Sequence, residues 1–179
     1  MSTFLDLCRS RQSCRNYDPH RPVPREALDR CIEAARLAPS ACNSQPWMFV
    51  VVDRPELKRR VAEAAFGGAY SMNRFAADAP VLVVMVTERS KRVAQMGAWL
   101  RRVPYNRIDI GIAGEHFCLQ AAEEGLGACW LGWFNAPAVR RALELPRGAR
   151  LDVMFSVGWP DQPVREKNRK PAEAMSRYA

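Results

Sequence analysis

The sequence predicts one domain that mixes helices with a buried sheet, and three observations carry that expectation. Val81 to Val86, V-L-V-V-M-V, is an apolar, β-branched run without a polar face, the pattern of a strand covered on both sides. Leu28, Cys31, Ile32 and Ala35 recur at i, i+3, i+4 and i+7, one stripe of an amphipathic helix. The chain has 179 residues, 48% of them apolar, enough for one well-filled α/β core and too few for two ordinary ones. Residues 1–179 are therefore read as a single domain, with 160–179 as a tail.

Taken in order, Phe4 to Arg9 reads as a short amphipathic helix that delivers the basic run Arg9 to Arg15. Tyr17-Asp18-Pro19 is a turn, and Val23-Pro24 opens the Leu28–Ala35 helix, which Pro39 stops because proline lacks a backbone donor and clashes with the preceding turn. Met48 to Val52 reads as a buried strand, and Asp53-Arg54-Pro55 as an N-cap with early proline for a helix carrying Leu57, Val61 and Ala64 up to Gly67-Gly68. Asn73 to Asp78 is a polar connector before the Val81–Val86 strand. Thr87 to Asn106 alternates arginines and lysine with Met96, Trp99, Leu100 and Tyr105, and reads either as a lid over a ligand or as a surface helix and loop. Asp109 to Glu124 is the central helix, apolar over more than one face, ended by Gly125-Leu126-Gly127 in the left-handed manner. Ala128 to Phe134 and Leu151 to Val157 are further core strands, with a short basic helix, Pro137 to Leu145, between them. Asp161 to Ala179 is charged, proline-bearing and poor in apolar residues, so it is expected on a surface or across a partner chain.

Lys and Arg number 27 against 19 acidic residues, a net charge of +8 that favours anionic partners without choosing among them. The basic residues are scattered and not interleaved with aromatics, so nucleic acid is not an expected partner. The six cysteines form no C-x-x-C pair or ligand spacing and the only histidines are His20 and His116, so no metal site is expected. His116, alone in an apolar helix, reads as a hydrogen-bonded core or interface residue. The N-terminal stretch has no signal-peptide core, and the longest apolar run, Ala79 to Val86, falls far short of the ~20 residues that span a bilayer. A cytoplasmic protein with reduced thiols and no membrane contact is the expectation.

Ala38 to Phe49, A-P-S-A-C-N-S-Q-P-W-M-F, places side-chain amides and hydroxyls in a loop between helix and strand, an arrangement suited to a planar ligand with several hydrogen-bonding edges, and equally that of an ordinary connecting loop. Arginines flanking a serine in Arg9 to Arg15 read as an anion cradle or as a solvated cluster. The glycines of Gly125-Leu126-Gly127 close a helix and precede a strand, the reverse of a dinucleotide fingerprint, so no Rossmann site is supported.

Four stretches in order, R-Q-S-C-R-N-Y (Arg11 to Tyr17), A-P-S-A-C-N-S-Q-P-W (Ala38 to Trp47), D-I-G-I-A-G-E-H-F-C-L-Q-A running into E-G-L-G-A-C-W-L-G (Asp109 to Gly132), and K-N-R (Lys167 to Arg169), give a sequence that resembles the FMN-dependent nitroreductase family over nearly its whole length. The resemblance implies an α+β, nitroreductase-like fold, with a central, mostly antiparallel sheet wrapped by helices, built as an intertwined homodimer with FMN at the subunit interface. It places Arg11, Gln12, Ser13 and Arg15 in the flavin-binding run, Arg11 and Ser13 toward the phosphate, and lets Lys167 and Arg169 complete that phosphate site. Pro39, Ser40, Ala41 and Asn43 match the loop that touches the isoalloxazine from the partner subunit, with Gln45 close by. Leu131, Gly132 and Trp133 match the strand end whose backbone approaches flavin N5 and O4, and Asn73 matches a ring-contacting asparagine. Gln12 departs from the pattern, standing where a basic residue is frequent. Cys14 and Cys42 depart too, and Cys42 beside the ring would be placed to alter redox tuning or to be oxidised.

The activity implied is NAD(P)H-driven, ping-pong reduction of nitroaromatics, quinones or related acceptors, in which the flavin carries the chemistry and no catalytic side chain is needed. The same fold serves other flavin reactions, among them reductive dehalogenation, enoate reduction and flavin destruction, and Thr87 to Asn106 is where these would differ. A flavin-binding or storage protein is the alternative from another class. Nucleic-acid binding would require steeply salt-dependent retention.

Overall fold

The valine-rich strand sits at the centre, as its composition demands. In the computed structural model, which describes residues 3–179, β2 (Val81–Thr87) is buried at every position. Met1 and Ser2 of the N-terminal stretch read above lie outside the described residues. β1 (Trp47–Val52) and β4 (Arg150–Gly158) flank β2, and β3 (Gly127–Leu131) adds to β4, giving the order β1-β2-β4-β3 with antiparallel pairing throughout. Between Met85 and Val86 the register slips by one residue, leaving Asp152 of β4 unpaired at a bulge. Its carboxylate accepts the Thr87 hydroxyl at 2.8 Å and is reached by Arg150.

Because side chains alternate across a strand, β2 and β4 feed two cores. Val81, Val83, Met85, Phe155 and Val157 pack against α2 (Arg25–Arg36) and α5 (Tyr105–Glu123). Leu82, Val84, Val86 and Met154 pack on the other face, against α3 (Pro55–Ala65), α6 (Ala136–Ala142) and a 3₁₀ segment, Gly68–Asp78. The result is an α+β arrangement with an antiparallel sheet between two helical layers.

An aromatic chain joins α5 to the sheet. Phe117 stacks on Phe49 at 5.7 Å and on Phe155 at 5.2 Å, and Trp130 meets Phe155 edge-on at 4.9 Å. Gly114 makes room for that indole, since a Cβ there would lie 2.5 Å from Trp130 Cη2. At its C-terminus α5 closes with Gly125 at φ 74°, with Leu126 N–H on Ala121 O and Gly125 N–H on Ala122 O, the paired bonds of a Schellman motif. Arg30 of α2 grips Glu124 through two hydrogen bonds beside that cap.

Several expectations are revised. β1 is an edge strand, buried only at Val52 and exposed at Met48, because nothing among the described residues pairs with its outer side. Asp53 does not cap α3; Arg54 occupies the cap without a side-chain bond, and Pro55 alone marks the start. The segment from Asn73 to Asp78 belongs to the 3₁₀ stretch and buries Ala76. α5 starts at Tyr105, a turn earlier than its apolar pattern, and β3 ends at Leu131 rather than Phe134. Thr87 to Asn106 contains a helix, α4 (Arg92–Arg101), with only Ala94 buried.

Gly114→Ala gains at most about 1 kcal/mol of helix propensity and forces an indole to move in a filled core, which costs about 1–3 kcal/mol. The expected outcome is net destabilisation, read as a lower urea midpoint with an unchanged m-value. A higher midpoint would show that Trp130 has space to give.

Candidate functional site

Both ends of the chain meet beside β3. Cys14 donates its N–H to Ala128 O at 3.1 Å and Ser13 bridges Ala128 in parallel, so the basic run lies along the outer edge of the sheet. The Tyr17 hydroxyl locks it in place, buried and bonded to Cys14 O at 2.7 Å and to Ser156 Oγ at 2.8 Å; burial drives its pKa far up, so it stays a neutral phenol. Against this run the tail is zipped in reverse order. Asp161 N–H binds Asn16 O, and Gln162 Oε1 accepts the N–H groups of both Arg15 and Asn16 at 3.0 Å. Gln12 uses both ends of its amide on the tail, donating to Pro163 O and accepting from Arg165 N–H. Finally the Lys167 ammonium donates to Arg11 O.

The zipper gathers charge. Arg11 pairs with Glu115 of α5 at 2.8 Å, and its Nε is buried without an acceptor. Partial desolvation first, then the nearby Arg11 and Arg169 cations, hold the Lys167 pKa below the ordinary lysine value. Three cations therefore gather near Glu115, and among the described residues neither Lys167 nor Arg169 has an ion-pair partner. An orphaned guanidinium N–H together with two such cations is the donor set a phosphate dianion fits. Arg11, Gln12 and Gln162 line a hollow of about 160 Å³ whose other walls, among them Leu126, Pro160 and Val164, are mostly apolar, and Lys167 and Arg169 line a separate one of about 350 Å³.

From the cations the same flank runs toward the exit of β3. Ser13 lies beside Cys129, and Arg15 stands over the Phe75 ring, 5.8 Å from its centroid. Two residues before Phe75, Asn73 donates its amide to Trp133 O at 2.8 Å, while Trp133 Nε1 donates to Ala69 O and its ring packs on Tyr70. Leu131 is buried, Gly132 is open, and Asn73 holds the Trp133 carbonyl just beyond β3.

The loop from Pro39 to Gln45 is held elsewhere. Ala41 N–H binds Asp109 Oδ1 at 3.0 Å, and Ser44 Oγ accepts Lys91 N–H before α4. Asp109 and Glu115 are six residues apart, which sets them roughly 9 Å apart along α5 and about 120° round it. Within one chain the structure thus brings Arg11, Gln12, Ser13, Arg15, Lys167 and Arg169 to one flank with Leu131 to Trp133, and puts Pro39, Ser40, Ala41, Asn43 and Gln45 on another face of α5. α4 overlies a cleft of about 310 Å³ lined by Thr87, Arg89, Gln95, Tyr105 and Arg150, and turns Trp99, 79% exposed, outward. His116 donates Nδ1–H to Ile112 O at 2.9 Å, a helix-internal bond.

Residues the sequence did not single out are Asp109, Glu115, Gln162 and Phe75. A signal existed for Asp109 alone, since it lies in the i+4 row of Ala113, Phe117 and Ala121, all buried. No helix among the described residues is long and apolar enough to cross a membrane, and none of their His, Cys, Asp and Glu side chains form a metal-holding group.

The Nitroreductase family profile matches residues 8–71 and 69–159. The chain is 28% identical to an iodotyrosine deiodinase of Thermotoga neapolitana, over 99% of this chain and 98% of that one. It is 30% identical to an NADH dehydrogenase of Thermus thermophilus, over 92% and 90% of the two chains. A solved structure of an FMN-dependent nitroreductase from Clostridium difficile superposes with a TM-score of 0.71 at 25% identity, covering 92% of each chain. The antiparallel sheet between helical layers is a fold shared with that solved nitroreductase, and the family is one of oxidoreductases. The chain belongs to the Nitroreductase family.

Lys167 supplies a pH test with a definite sign. Its folded pKa lies below the unfolded value, so between the two the unfolded state binds more protons and stability rises with pH toward the ordinary lysine range. Inorganic phosphate should relieve the repulsion. At tenfold over its Kd it would add about 1.4 kcal/mol, or about 3–6 °C in Tm for a chain of this size. Sodium chloride at equal ionic strength should give less, and Lys167→Met should remove most of the difference.

Proposed function

We propose that this protein is an FMN-dependent NAD(P)H oxidoreductase that reduces nitroaromatics, quinones or related small acceptors in a ping-pong cycle. The observation that carries the reading is the cation cluster made by the two ends of the chain, at the head of a flank that leads to the open peptides after β3. Support also comes from family membership and from a structural relative described as FMN-dependent.

Arg11, Ser13, Lys167 and Arg169 would hold the ribityl phosphate, and Gln12 would serve by pinning the tail that delivers Lys167. Arg15, between the phosphate end and Phe75, would steer the ribityl chain. Leu131, Gly132 and Trp133 would present backbone to the ring edge, with Asn73 fixing the Trp133 carbonyl. Bound there, FMN supplies hydride acceptance from a reduced nicotinamide and electron delivery to the acceptor. Backbone N–H groups of Leu131 to Trp133 at the ring edge would stabilise negative charge where it develops, beside a Trp133 carbonyl that Asn73 holds in place. The Pro39–Gln45 loop, lying on another face of α5, would reach the ring of a second chain. A homodimer with shared sites follows, and the outward apolar residues Phe4, Leu5, Ile108, Trp99 and Leu100 provide surface for it.

Reductive dehalogenation is the second reading, favoured by the end-to-end match to an iodotyrosine deiodinase. Purified protein loaded with FMN should bleach anaerobically on addition of NADH or NADPH and recover its yellow colour with a nitroaromatic or quinone. Iodide release from iodotyrosine under reducing conditions, with slow nitroaromatic turnover, would select the second reading. Colour that persists under both nicotinamides would favour a flavin-storage protein. Arg11→Ala should weaken FMN binding about 10- to 150-fold, the worth of one charge-assisted hydrogen bond of about 1.5–3 kcal/mol.

A further inference from the structure

Asp109 is an acid placed where the helix pattern calls for an apolar residue. It is 3% exposed, and only one of its oxygens is used: Oδ1 accepts Ala41 N–H at 3.0 Å, while Oδ2 is buried without a partner. A half-satisfied buried carboxyl costs of order 1–3 kcal/mol or more, and an alanine in the same row as Ala113 and Ala121 would avoid that cost. The oxygen that is used must therefore do something the core does not need.

What it holds is the hub of a strained loop. Ala41 gives its N–H to α5 and its carbonyl to Ser44 twice, from the backbone N–H at 3.1 Å and from the hydroxyl at 2.6 Å. Ser40 Oγ accepts Gln45 N–H at 2.9 Å, and the Gln45 amide donates to Asn43 Oδ1 at 2.7 Å. Around these bonds Cys42, Asn43 and Gln45 adopt φ of 53°, 51° and 47°, three left-handed non-glycine residues within four positions. Each costs of order 1 kcal/mol, least for asparagine, and such backbone persists only where neighbours over-determine it. Among the described residues, the bond to Asp109 is the loop's hydrogen bond to α5, the helix that also carries Glu115, the partner of Arg11.

We propose that Asp109 is a positioning residue for the ring-facing loop: by holding Ala41 N–H against α5 it maintains the left-handed turn and so the aim of the exposed Asn43 and Gln45 amides. The proposal rests on the FMN reading above for its ring, and on the geometry alone for its clamp. Because α5 carries both Asp109 and Glu115, one rigid helix sets the loop presented to one ring and braces the arginine presented to a phosphate.

Two readouts separate these layers. Hydrogen exchange at the Ala41 amide, measured on the full chain without flavin, reads the clamp. FMN affinity and the visible spectrum of the bound flavin read its consequence. Asp109→Asn keeps the Oδ1 acceptor and should leave Ala41 protected, with FMN affinity within about threefold of the original. Asp109→Ala should speed Ala41 exchange at least tenfold, weaken FMN about tenfold and shift the flavin spectrum. Ala41→Pro, which removes the donor next to an already extended Ser40, should reproduce the affinity loss even if Asp109→Ala does not fold. An Asp109→Ala protein with protected Ala41 and an unchanged flavin spectrum overturns the proposal, as does an Asp109→Asn protein as impaired as the alanine variant. If the original protein takes up no FMN while Ala41 protection still depends on Asp109, the cofactor reading fails and the clamp stands.

Discussion

Repulsion among Arg11, Lys167 and Arg169 is the condition the rest of the molecule has to satisfy. The two ends of a 179-residue chain are brought together by hydrogen bonds that run from Asn16–Asp161 to Arg11–Lys167, and each step carries the cations closer. Glu115 answers one charge. Lys167 and Arg169 stand without an ion-pair partner among the described residues, beside a buried guanidinium N–H with no acceptor. Polar groups buried without partners are rare because they are costly, and this one lies beside cations that a glutamine amide holds through both of its ends.

The sheet makes that convergence rigid. Gly127 leaves the space in which Cys14 lies, since a Cβ there would fall 2.6 Å from the Cys14 side chain. Tyr17 then bolts the segment to Ser156 inside β4, a strand buried through its second half. On the other side α5 is fixed by the Phe49–Phe117–Phe155 stack and by Arg30 on Glu124. The cation cluster therefore rests against two elements that are packed into the core, α5 and β4. The thiols nearby are part of this packing. Burial raises the Cys14, Cys118 and Cys129 pKa values, keeping them as unreactive small hydrophobes.

Much of this was legible in the residues. β2 declared itself because a strand buried on both faces needs no alternation, and α2 because its stripe is one-sided. Edge and centre could not be told apart in the same way: Met48 to Val52 is as apolar as a core strand, and its exposure depends on which strands happen to flank it. The start of α5 was hidden because Tyr105 and Asn106 are only half-buried, Arg107 and Ile108 are exposed, and the stretch lacks the apolar period. For the site, the family resemblance named both cationic ends, and the structure supplies the reason they meet, which is the Gln12 and Gln162 amides working across 150 residues of chain. Neither residue type announces such a bond. Asp109 was written into the sequence as an acid in an apolar row, yet its meaning needed the Ala41 N–H beside it.

The flank beside β3 and the loop on Asp109 occupy different faces of α5, so one chain offers a cationic end and a separate set of exposed amides. What unites them is the claim that a single phosphate-bearing flavin is the anion in question. The most direct measurement is a side-by-side titration of the protein with FMN and with riboflavin, which share a ring and differ only in the phosphate. The account predicts binding of FMN at least about a hundredfold tighter, with the gap shrinking as salt rises, because two or more charge-assisted contacts of about 1.5–3 kcal/mol each fall to the phosphate. Equal affinity for the two, or binding of neither, would contradict it.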